Sequence, residues 1–210
     1  MSNSEEEITF KIITVGESGV GKTAIIKRFV YGKFDENAIS TIGLSFCFKD
    51  IKLNNNKQIK LKLIDTGGQE RFRALSKSYF KNAEGVLFVF GLDNKKSFDE
   101  IQNWINTFNE NCSINNIPKF LVGNKCDLID KITVDKEGID KIAKNNNIKY
   151  IETSAKENIL IEDLFIQMGE ILYEDYKKSG KEKTGQIKLE SKKKKKRNNC
   201  CVKGDLIQNK

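Results

Sequence analysis

Eight residues, GESGVGKT (16–23), fit the pattern G-x-x-x-x-G-K-[ST]. They follow ITFKIITV (8–15), which reads as a strand, and they open a helical pattern running from Lys22 to about Tyr31. A strand, a glycine-rich turn and a helix in that order leave few architectures open. The turn suits a dense anion such as a triphosphate. Main-chain N–H groups of Gly16, Glu17, Ser18, Gly19, Val20 and Gly21 can converge on it at a helix N-terminus, with Lys22 as a point charge and the Thr23 hydroxyl as a Mg²⁺ ligand. Alone, the same residues would also suit a plain glycine turn before a helix.

The remaining pattern alternates strands with helices. Phe46, Phe48, Ile51 and Leu53 alternate loosely, NNNK (54–57) makes a turn, and IKLKLI (59–64) alternates cleanly, which predicts a hairpin with one wet face. GVLFVFG (85–91) and KFLVGN (119–124) are continuous apolar runs suited to parallel strands covered on both sides. Phe98, Ile101, Trp104, Ile105 and Phe108 recur at helical spacing, as do Ile139, Ile142 and Ala143. IKYIET (148–153) predicts a last strand, and Ile161, Leu164, Phe165, Met168, Ile171 and Leu172 a final amphipathic helix ending near Lys178. Such an α/β chain places its ligand at the carboxyl ends of the strands.

Three segments follow predicted strands and carry further chemistry. In DTGGQE (65–70), Asp65 can hold Mg²⁺, Gly68 can offer a main-chain N–H to a terminal phosphate, and the Gln69 amide can orient a water. A Gly-Gly turn after a strand explains the same residues without chemistry. In NKCD (124–127), Asp127 is acceptor-only and matches the adjacent N1–H and N2 donors of guanine, which adenine lacks. Lys125 can lie along the base, and Asn124 can tie this loop to residues 16–23. In SAK (154–156), the Ala155 N–H can meet guanine O6, with Ser154 and Lys156 beside it. Phe34 suits either the other face of the base or the core.

GESGVGKT, Thr41, DTGGQE, NKCD and ETSAK, in this order, resemble the Ras superfamily of small GTPases. ISTIGLSF (39–46), QERFRALSKSYFKNAEGVLFVF (69–90) and LVGNKCDL (121–128) resemble its Rab branch. The resemblance spans about residues 8–178. It implies a P-loop fold with a six-stranded, mostly parallel sheet flanked by five helices, one strand being antiparallel. It implies GTP and GDP as bound nucleotides, Mg²⁺ held by Thr23, Thr41 and Asp65, and Gln69 as the catalytic residue of a slow hydrolysis. It also implies an exchange factor, a GTPase-activating protein, and effectors that read Ile42, Phe46, Ile64 and Tyr79. Four positions depart from the Rab pattern: Ala38, Ser45, Ile64 and Gly67 replace the usual tyrosine, acid, tryptophan and alanine.

The net charge of +8 is local. The segment Ser179–Lys210 holds eleven Lys/Arg and three Asp/Glu, so it carries the whole excess and residues 1–178 are neutral. A neutral body argues against nucleic acid as a ligand. Residues 1–178 are thus expected to form the GTPase domain, and 179–210 a disordered lysine-rich tail suited to an anionic membrane surface. Cys200 and Cys201 follow KKKKKRNN and are candidates for lipidation, although nine residues come after them. The acidic MSNSEEEITF lacks an apolar signal core, so a cytosolic protein is expected; the family resemblance implies that it cycles onto the cytoplasmic face of a membrane, and a monomer is expected. Two functions fit: a GTP-hydrolysing regulator of vesicle traffic, or a nucleotide-locked scaffold tethered by its tail.

Overall fold

The computed structural model describes residues 7–36, 44–67, 80–114 and 116–180. Six strands form one sheet: β1 (Thr9–Val15), β2 (Leu44–Lys52), β3 (Gln58–Thr66), β4 (Gly85–Gly91), β5 (Lys119–Asn124) and β6 (Lys149–Thr153). Their order is β2-β3-β1-β4-β5-β6. Only the β2–β3 pair is antiparallel; the other four pairings are parallel. Five α-helices lie among the described residues, α1 (Lys22–Tyr31), α2 (Lys95–Asp99), α3 (Ile101–Asn111), α4 (Lys136–Asn146) and α5 (Ile161–Lys178), together with a 3-10 turn at Ile129–Lys131.

The continuous apolar runs are explained by cover on both sheet faces. Along β4, Leu87 and Val89 pack with α1 and α5 residues such as Ile25, Phe29 and Phe165. Val86, Phe88 and Phe90 alternate with them and pack with Ile101, Trp104 and Phe108 of α3. Phe29 and Phe165 stack with ring centroids 4.0 Å apart, joining α1 to α5 across one face.

The hairpin has one wet face, as its alternation predicts, but its strands differ. On β2, Ile51 is buried while Phe46 and Phe48 stand 65% and 49% exposed on the opposite face. The Lys62 ammonium lies 5.1 Å and 5.9 Å from the centroids of these two rings. The strand β3 runs on to Thr66, two residues beyond the expected segment, because β1 pairs with it as far as Asp65 and β2 as far as Thr66. Ile64, which the family resemblance places on the effector-reading surface, is 4% exposed and shares a core cluster with Ile13, Val15 and Phe80. An unbranched alternation cannot distinguish a rim position from one that the neighbouring strand and helix layer cover.

Helix α4 begins earlier than its apolar stripe, because Asp135 caps it by accepting from Gly138 N. Among the described residues, no helix is long and apolar enough to cross a membrane.

Candidate functional site

The carboxyl ends of β1, β3, β5 and β6 converge on one edge of the sheet, and residues 16–23, 65–67, 124–127 and 154–156 are found there. Residues 16–23 leave β1 and turn into α1. Gly16 has φ 144°, and a Cβ built on it would lie 2.0 Å from the Val89 carbonyl oxygen. Gly21 caps α1 at φ 95°, where a Cβ would lie 2.2 Å from Asn124 Nδ2. Both positions therefore demand glycine, for close approach as well as for backbone conformation.

Lys22 is buried, and its ammonium donates to the carbonyls of Gly16 at 2.9 Å and Glu17 at 2.7 Å. Burial lowers its pKa from 10.5 to about 8; Asp65 and Glu17 pull the other way. A cation held this way across the loop is the counter-charge a phosphate chain needs.

Thr23 and Asp65 meet beside it: Thr23 Oγ1 donates to Asp65 Oδ2 at 2.7 Å. Asp65 is 3% exposed, and its place is fixed by two threonine bonds across β1 and β3. Thr14 Oγ1 donates to the Ile64 carbonyl at 2.8 Å, and Thr66 Oγ1 donates to the Thr14 carbonyl at 2.7 Å. A hydroxyl and a carboxylate are hard oxygen donors. They fit Mg²⁺, which is held by few protein groups together with phosphate oxygens and water.

The base side is built on the ends of β5 and β6. Asn124 is buried; its Nδ2 donates to the Val20 carbonyl at 2.8 Å. Its Oδ1 accepts from Thr153 Oγ1 at 3.2 Å and from Ala155 N at 3.3 Å. The expected tie between the two loops is therefore a direct hydrogen bond. Lys125 adopts φ 68°, and its ammonium pairs with Asp93 Oδ2 at 2.9 Å. Asp127 Oδ1 accepts from Ser154 Oγ at 2.6 Å, which aims the carboxylate. Ser154 Oγ in turn accepts from Glu157 N at 3.0 Å. Lys156 pairs with Glu36 at 2.6 Å. Phe34 is half-buried against the core, with the Arg28 guanidinium 5.9 Å from its ring centroid.

Several supporting residues were not foreseen from the sequence. Arg28 on α1 donates to three carbonyls: Ala155 at 2.8 Å, Lys156 at 2.7 Å and Gly32 at 2.9 Å. It clamps the 154–156 loop to the end of α1. Asp93, which follows β4, and the Thr14/Thr66 pair were also missed. Their partners lie far along the chain and leave no local pattern. Thr41, Ile42, Gly68, Gln69, Tyr79, Cys200 and Cys201, together with Ala38, fall outside the described residues.

A mostly parallel sheet with a glycine-rich phosphate loop after β1, an oxygen pair for a hard cation and an acidic loop after β5 defines a P-loop GTPase-like fold. The sequence model of the Ras family matches residues 11–174. Ras-related protein Rab-8A of Rattus norvegicus is 45% identical over 159 residues, covering 76% of each chain. Rab-8A of Bos taurus is 46% identical over 156 residues, 74% of each, and Rab-8B of Homo sapiens is 43% identical over 159 residues, 76% of each. This chain belongs to the Ras family of small GTPases, in its Rab branch.

Proposed function

We propose that the protein is a GTP-driven switch that regulates vesicle traffic and hydrolyses GTP slowly unless a partner accelerates it. One observation carries the reading: Lys22 and the Thr23–Asp65 pair stand beyond the carboxyl ends of β1 and β3, Asp127 and Ser154 beyond those of β5 and β6, and Asn124 bonds across from the base loop to the phosphate loop. The phosphate loop and Lys22 bind the α-, β- and γ-phosphates. Asp127 accepts from guanine N1–H and N2, the Ala155 N–H meets O6, and the Lys125 stem and Phe34 flank the ring. Adenine would leave the Asp127 carboxylate facing an acceptor, a mismatch worth about 10⁴ in selectivity.

Thr23, Asp65 and Thr41 would hold Mg²⁺, which neutralises charge on the β- and γ-oxygens when bound. Gln69 orients a water whose oxygen bonds to the γ-phosphorus as the bond to the β–γ bridging oxygen breaks. The products are GDP and inorganic phosphate. Intrinsic turnover without an arginine supplied in trans is expected on the order of 10⁻³ per second or below. Contacts from Thr41 and Gly68 to the γ-phosphate would order their segments and complete an effector surface that includes Phe46. Exchange factor, activating protein and effectors are thus its partners. The lysine-rich tail and Cys200/Cys201 would attach the GTP form to the cytoplasmic face of an anionic membrane.

The test is calorimetry of nucleotide-stripped protein with GDP and GTP in magnesium buffer, followed by single-turnover hydrolysis. Tight uptake of both, with slow cleavage abolished by Gln69→Leu and accelerated by an extract rich in activating proteins, is expected. No uptake refutes the site. Uptake without turnover in either condition favours the tethered scaffold.

A further inference from the structure

The chain contains one tryptophan, and it reaches the phosphate loop. Trp104 lies on α3, is 2% exposed, and shares a core cluster with Val15, Phe88 and Phe108. Its indole Nε1–H donates to Glu17 Oε1 at 2.9 Å, across 87 residues of sequence. An indole N–H can only donate, so a buried one must find an acceptor. Here the acceptor is an ionisable carboxylate in the residue after Gly16.

Glu17 is therefore held from two directions. Its main-chain carbonyl accepts from Lys22 Nζ at 2.7 Å, and its side chain accepts from α3. The first bond closes the loop on itself; the second fastens it to the helix layer over the sheet. Electrostatics makes the second bond matter. A carboxylate in a loop whose amides face an anion repels that anion wherever it is free to swing towards it. A hydrogen bond from a rigid core side chain fixes which side of the loop the charge occupies. The helical spacing of Trp104 with Ile101, Ile105 and Phe108 hides this, because it matches an ordinary core stripe.

We propose that Trp104 is a positioning residue for the phosphate loop, anchoring it to α3 through Glu17 and thereby slowing release of bound guanine nucleotide. The inference rests on the reading of residues 16–23 as a phosphate cradle. Trp104→Phe keeps an aromatic side chain in the core and removes the donor. Glu17→Ala removes the acceptor from the other end. A charge-assisted bond of this kind corresponds to roughly a ten-fold change in release rate.

The experiment uses the full chain loaded with N-methylanthraniloyl-GDP and chased with excess GDP in magnesium buffer. Failure of the unsubstituted protein to load would defeat the nucleotide reading and the inference with it. Once loading is established, Trp104→Phe and Glu17→Ala should each release about ten-fold faster, and the double variant no faster than either. Unchanged rates, or effects that multiply in the double variant, overturn the anchoring role and leave the nucleotide reading intact. Phe108→Leu, equally buried on the same helix, should lower the melting temperature yet keep the release rate within about two-fold. If it accelerates release as Trp104→Phe does, the effect is general loosening and the proposal fails. Glu17→Ala also tests the bond where Trp104→Phe folds poorly: it should shift the emission of the lone tryptophan, and an unshifted spectrum counts against the bond.

Discussion

Asn124 and Val20 are 104 residues apart, yet the side-chain amide of one donates to the main-chain carbonyl of the other at 2.8 Å. The base-side loop and the phosphate-side loop are joined at that point. Asn124→Asp preserves shape but sets a carboxylate oxygen against the Val20 carbonyl. A lost donor and a buried uncompensated charge should cost about 3 kcal/mol of stability. Urea denaturation of the variant against the parent measures it, and a loss under about 1 kcal/mol would show that the joint is unimportant.

Lys22 sets a proton linkage. Burial holds its pKa at about 8, below the ordinary 10.5. Between those values the folded protein binds fewer protons than the unfolded chain, so this group costs stability at neutral pH, and the cost shrinks as pH rises through that window. A bound phosphate chain favours the charged form and raises the pKa again. Nucleotide binding at pH 8 should therefore take up about half a proton at this lysine, and less as the pH falls. Calorimetry in buffers of different ionisation enthalpy reads the uptake directly. No dependence on buffer at pH 8 would mean that the ammonium does not face the phosphates.

Arg28→Ala removes the clamp on the Ala155 and Lys156 carbonyls. The bonds are partly exposed, so the expected loss of stability is about 1–2 kcal/mol. Hydrogen exchange should quicken in residues 154–157 before it does so in the β4 core. Nucleotide release should be faster as well, and uniform exchange across the domain would argue against a local clamp.

Asp127→Asn exchanges an acceptor for an amide. Guanine then meets a mismatched donor, while xanthine, with a carbonyl in place of the N2 amine, is matched. Affinity for GDP should fall by about three orders of magnitude or more while xanthosine diphosphate gains. Competition binding with both nucleotides decides it; selectivity that stays with guanine would move the base site away from Asp127.

The parts of the molecule that were legible in the sequence are those where one segment states its own constraint. ITFKIITV followed by GESGVGKT declares a strand, a tight turn and a helix start within sixteen residues. GVLFVFG and KFLVGN are apolar throughout because both faces of β4 and β5 are covered. Asn124 could be expected to join two loops because its amide donates and accepts at once. What stayed hidden depends on two distant segments meeting. Arg28 looks like any basic residue on an amphipathic helix, and its partners come 127 and 128 residues later. Asp93 gains meaning only from Lys125, and Trp104 only from Glu17. The burial of Ile64 is hidden for the same reason, since nothing within IKLKLI says that its last residue joins a core cluster with Phe80 and Phe88.

Gly16 sits so tightly under the Val89 carbonyl that the inner strand of the sheet acts as a floor for the ligand loop. The functional footprint is consequently wider than the set of residues that could touch a nucleotide. Replacements within β4 that lift its main chain by a few tenths of an ångström would tilt the cradle without altering any of its amino acids. A catalogue of harmful variants in this protein should therefore include the deep hydrophobic positions flanking Val89, where loss of activity would be mistaken for simple misfolding.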